Sequence, residues 1–85
     1  MIHFTKHARD KFDVLRRHGL DLTEAQVIQA VRAPDLVGTS RWPLLIAQSK
    51  LDREHVLRVV YKKEQGIIKI ITFYPGRKSQ YEKHS

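Results

Sequence analysis

Eighty-five residues, no cysteine and a formal net charge of +7 (pI ≈ 10.1) define one small basic domain that has neither disulfides nor thiolate metal ligands. A chain this short buries only about 60% of its unfolded surface, enough for one sheet and one helical layer. The five histidines stand at no metal-motif spacing, and no apolar run approaches a signal peptide or the roughly 20 residues of a membrane span; a metal-free, cytoplasmic protein is expected.

The charge is uneven: residues 1–18 carry +3, residues 19–49 carry −1 and residues 50–85 carry +5. An excess gathered at both ends of a chain suits phosphate or an acidic protein partner. Ile2–Phe4 reads as a short edge strand. Thr5 is placed as an N-cap, and Ala8, Phe12 and Leu15 recur at i, i+4, i+7, one face of a helix. Arg16, Arg17 and His18 suit the last turn, and Gly19 stands at C′, where left-handed backbone costs least.

A second helix starts at Thr23, which with Gln26 forms a capping box; Leu22 and Val27 supply the hydrophobic staple. Val27, Ile28 and Val31 make its apolar stripe, and Ala33–Pro34 stops it. The pattern then turns to strand. "LVGTSRW" is weak and glycine-containing, Trp42–Pro43 reads as a turn, "LLIAQSKL" is a second strand, and Asp52–Arg53 lies in the next turn. "EHVLRVVYK" and "IIKIITFY" are the best strands, joined through "KKEQG" with Gly66 left-handed and the second ending at Tyr74–Pro75. The expected fold is α+β, in the order β-α-α-β-β-β-β, with two helices packed on one face of a twisted antiparallel sheet.

Alternation sorts the first of these two strands into His55, Leu57, Val59 and Tyr61 on one face, and Val56, Arg58, Val60 and Lys62 on the other. If the helices cover Leu57 and Val59, Arg58 faces the uncovered side. There its planar fork either binds two phosphate oxygens or its stem covers apolar surface. The register of the last strand is open by one residue, which would exchange its faces. Valines and isoleucines on the uncovered face make a patch suited to a partner, a homodimer among them. Of the remaining aromatic residues, Phe73 and Tyr74 read as core and strand end, and Trp42 as a loop anchor or partner contact.

Two stretches carry a resemblance. "VLRVVYKKEQGIIKIITFYPGRKSQYEK" resembles the C-terminal half of the RelE/ParE toxin superfamily, in which an Arg-containing strand, a hairpin and a strand ending in a basic segment are closed by a Tyr. "RRHGLDLTEAQVIQAVRAPDLV" is similar to the helix junction of the BrnT branch, and "TKHARDKF" looks like the start of domain of unknown function 4258. The resemblance implies a small endoribonuclease, the toxin of a toxin–antitoxin pair, using no metal or cofactor. The 2′-OH would attack the adjacent phosphate of RNA, on the ribosome in the RelE branch, and an antitoxin protein would neutralise the activity.

Carried onto this sequence, Arg58 and Arg77 would stabilise the phosphate and Tyr81 would be the acid or base, with His7 behind it. Lys50, Lys78 and Lys83 would contact RNA. His55, on the face opposite Arg58, reads first as a solvated strand-end residue; His3, His18 and His84 read as surface. RelE has two lysines before its first Arg where this chain has only Lys50. The alternative is a non-catalytic binder on the same fold: a gyrase-type inhibitor, as in the ParE branch, or an RNA-binding module.

Overall fold

The computed structural model describes residues 1–81, apart from the Tyr81 side chain. The elements are β1 (Ile2–Phe4), α1 (Lys6–Arg17), α2 (Glu24–Arg32), β2 (Leu36–Gly38), β3 (Leu45–Lys50), β4 (His55–Glu64), β5 (Ile67–Arg77) and α3 (Lys78–Tyr81). Local chemistry sets both long helices. Thr5 caps α1 by accepting from the Ala8 N–H at 3.2 Å. At its other end Gly19 (φ 88°) lets the N–H groups of Gly19 and Leu20 close back on Arg16 and Leu15, a Schellman stop. For α2 the capping box is complete: Gln26 N–H donates to Thr23 Oγ1 at 3.2 Å and Thr23 N–H to Gln26 Oε1 at 2.9 Å.

The sheet has five strands in the order β1-β5-β4-β3-β2. It is mixed rather than antiparallel, because β1 runs parallel to β5. The N-terminal strand adds to the exposed edge of the last strand, with Ile68 N–H donating to the Met1 carbonyl (2.9 Å) and Thr5 N–H to that of Ile70 (3.1 Å). β2 is shorter than the pattern predicts, stopping at Gly38. The β4–β5 turn is tighter: Glu64 pairs with Ile67, leaving only Gln65 (φ 50°) and Gly66 (φ 79°) in left-handed backbone. β5 is longer than predicted, passing through Pro75 to Arg77. Proline is tolerated there because β1 reaches only to Ile70 and leaves that edge of β5 unpaired. A single helical turn, α3, follows the end of β5 directly.

Both long helices cover the face that carries Leu57, Val59, Tyr61, Ile70, Phe73, Leu45 and Ala47, all buried. Phe12 of α1 sits between Phe4 and Phe73, with ring centroids at 5.8 and 4.6 Å. A bulge interrupts the hairpin: Val60 pairs with Thr72 but Tyr61 with Ile70, so Ile71 is the extra residue. It resolves the one-residue ambiguity of the last strand by changing which residues face the helices part-way along.

Two substitutions test this account. Phe73→Ala, at a fully buried position, is expected to cost about 3–5 kcal/mol. Thr23→Ala, which removes only the cap, is expected to cost about 1 kcal/mol. Urea denaturation of the two variants measures the difference.

Candidate functional site

Arg58 lies on the uncovered face, as alternation predicts. Its register partners are Gln48 on β3 and Tyr74 on β5. One row of side chains therefore crosses three strands: Arg58 donates to Gln48 Oε1 at 2.6 Å and to the Tyr74 hydroxyl at 3.2 Å. Gln48 is 1% exposed, the one buried polar residue among the described residues, and both it and Arg58 have further interactions beyond this row. Arg58 and Tyr74 of this row line an open depression of about 660 Å³, whose walls include Arg41, Ile46, Val60 and Thr72.

Arg77 stands elsewhere. It is the last residue of β5 and pairs with His55, the first of β4, with no register shift between that pair and Arg58–Tyr74. Three residues separate His55 from Arg58, an odd offset, so Arg77 and His55 belong to the opposite face from Arg58. The two arginines expected to share one phosphate line different depressions. The expectation fails because the last strand does not end at Tyr74. Continued pairing through Pro75 and Gly76 carries Arg77 onto the side of Leu57 and Phe73.

The depression at Arg77 holds about 360 Å³ and is lined by Arg53, Glu54, His55, Arg77, Lys78 and Ser79. The helix layer ends before it: Leu57 is buried, whereas the His55 side chain is 40% exposed. Two backbone segments meet here, tied by the Lys78 N–H to the Glu54 carbonyl at 2.8 Å. Among the described residues Arg53, Arg77 and Lys78 enter no salt bridge, while Lys6, Arg16, Lys62 and Lys69 are all paired with carboxylates.

Asp52 organises the turn that leads into this depression. Its Oδ1 accepts from the N–H groups of Glu54 (2.8 Å) and His55 (2.9 Å), and its carboxylate meets His55 Nδ1 at 2.9 and 3.1 Å. These bonds, the Glu54 N–H first and the imidazole second, hold the Asp52 carboxyl below its ordinary range. A carboxylate only accepts, so the imidazole donates from Nδ1, and Nε2 is the ring nitrogen that Asp52 does not engage. His55 and Arg77 are direct cross-strand neighbours, a relation that sets Cβ atoms about 4.5–5.5 Å apart. The site thus unites an oriented imidazole with three cations against one carboxylate, Glu54, among the described residues, an arrangement able to bind a phosphate and move a proton beside it.

Lys78 belongs to this group. His7 is exposed on the first turn of α1, and Lys50 is exposed at the end of β3, its N–H bonded to Asp35 at 3.1 Å; neither lines either of these two depressions. Tyr81 closes α3 in the backbone, and its side chain, like Lys83, lies outside the described residues. Sequence reasoning missed three partners. Asp52 three residues ahead of a strand-opening histidine was a legible signal for the dyad. Gln48 and Tyr74 were visible as polar groups in apolar strands, but only the register matches them to Arg58. No protein-family model, curated protein or solved structure matches this chain.

The depressed carboxyl gives a pH test. Its folded pKa lies below the unfolded one, so its stabilising effect is complete above about pH 4. That effect is lost as pH falls through the folded value. Asp52→Asn is expected to flatten this acid limb when urea midpoints are compared between pH 2 and 6.

Proposed function

We propose that this chain is a metal-independent endoribonuclease on a RelE-like fold, the toxin of a toxin–antitoxin pair. The observation that carries the reading is the Asp52–His55 pair standing opposite Arg77 in a depression shared with Arg53 and Lys78. In this reading His55 Nε2 takes the proton of the ribose 2′-OH, while Asp52 holds the ring and balances the charge it acquires. The 2′-oxygen then bonds to the adjacent phosphorus. Arg77, Arg53 and Lys78 neutralise the charge gathering on the phosphate oxygens. The bond to the 5′-oxygen breaks, and His55 returns its proton to that oxygen. The products are a 2′,3′-cyclic phosphate and a 5′-hydroxyl. Arg77 keeps the phosphate role the resemblance implies, the acid–base role passes to His55, and Arg58 has no part in the step.

A second reading is supported by the row on the other face. Arg58 stands beside Arg41 in an open depression, an arrangement suited to holding RNA without cutting it. The non-catalytic alternatives, an RNA-binding module or a gyrase-type inhibitor, stand or fall on the same assay.

His55→Ala and Arg77→Ala are each expected to lower cleavage of a labelled RNA by about 10²–10⁴-fold. Circular dichroism should stay unchanged for both; the melting temperature should hold for Arg77→Ala and fall only slightly for His55→Ala, which loses its bond to Asp52. EDTA should have no effect, and Arg58→Ala should spare the rate at saturating RNA. Cleavage by His55→Ala at the wild-type rate would remove His55 from the mechanism. Wild-type protein that binds RNA with steep salt dependence and never cuts it would leave the binding reading in place.

A further inference from the structure

The loop between β2 and β3 carries the sole tryptophan of the chain, Trp42, and of the two expected roles, loop anchor or partner contact, its exposure of 72% disfavours the first. Backbone hydrogen bonds brace this loop, with Trp42 N–H donating to the Thr39 carbonyl at 3.0 Å and Leu44 N–H to that of Arg41 at 2.9 Å. Arg41, just before Trp42, and Leu44, two residues after it, line the depression that holds Arg58 and Tyr74. A large flat indole is thus exposed on the residue that follows Arg41, which shares that depression with Arg58. Leaving it in water costs the protein burial it could otherwise have had. The surrounding charge selects the occupant. Arg41 forms no salt bridge among the described residues, and a chain of net charge +7 attracts a polyanion.

We propose that Trp42 and Arg41 form a contact site for single-stranded RNA, Trp42 stacking on an unpaired base and Arg41 taking the adjoining phosphate. Every base has a π-face, so such stacking tolerates any sequence. In a duplex those faces are already stacked on their neighbours and are closed to the indole. This deepens the reading above, on which it rests, by naming the substrate class as unstructured RNA. The site lies on the sheet face away from His55 and Arg77, so it holds nucleotides remote from the bond that breaks. It therefore governs how well long substrates bind and not the step itself.

A single tryptophan makes the test direct. Titrating the wild-type protein with an unstructured 2′-O-methyl RNA 12-mer, which cannot be cleaved, is expected to quench its fluorescence to saturation; a perfect duplex of the same sequence should not. In fluorescence anisotropy with the labelled 12-mer, Trp42→Ala is expected to weaken binding by about tenfold, with Trp42→Phe recovering most of the loss. Arg41→Ala should lower the salt slope by about one contact. In cleavage assays Trp42→Ala should raise KM for long RNA and leave a dinucleotide unaffected. Three results would overturn the proposal: binding without quenching, equal quenching by duplex, or unchanged affinity of Trp42→Ala. With RNA binding intact, each of those leaves the broader RNA reading standing. Failure to bind any RNA at low salt removes both.

Discussion

The pairing of β4 with β5 is the constraint on which the other features depend. A two-residue turn at Gln65–Gly66 starts it, and at its far end it sets Arg58 across from Tyr74 and His55 across from Arg77. Side chains along a strand alternate strictly, so these two pairs, three residues apart, must face opposite ways. The bulge at Ile71 matters as much. It shifts the parity of β5 between the turn and the sites, so that Ile70 and Phe73, three residues apart, both enter the core. Without that extra residue one of the two would face water, and the helix layer would lose part of the surface it packs on.

The distribution of charge follows from the same geometry. Along α1, Lys6 and Arg16 meet carboxylates on their own helix, and at the hairpin end Lys62 and Lys69 converge on Glu64. The Glu64 carboxyl is held below its ordinary range by Lys69 first and Lys62 second. Those cations are largely neutralised locally. Among the described residues Arg53, Arg77 and Lys78 enter no salt bridge, and they gather with Glu54 where the turn after β3 meets the end of β5. That depression is one place where positive charge gathers. Asp52 acts beside it: its carboxylate accepts from two N–H groups and the imidazole, which orients His55.

Much of the fold was legible in the residues. The Thr5 and Thr23 caps, the Gly19 stop, the left-handed Gly66 and the sorting of Leu57, Val59 and Tyr61 to the helix side all rest on contacts within a few positions, and local rules carry those directly. Arg58 on the uncovered face was legible for the same reason. The extent of β5 was not, because Pro75 reads as a stop unless the missing neighbour on that edge is known. Nor was the parallel docking of β1, which depends on which edge of the finished sheet stays open.

The candidate site divides along the same line. By itself the sequence determined that the chain is small, basic and without cysteine, that it forms two capped helices and a long hairpin, and that Arg58 and His55 lie on opposite faces. Each of these follows from composition or from a period read over a few residues. Only the tertiary structure decided that Arg77 joins His55 and not Arg58, that Gln48 and Tyr74 brace Arg58, and that Trp42 stands in solvent. Those facts turn on register and strand length, which are settled by pairing between segments far apart in the chain, and no local pattern encodes the partner's position.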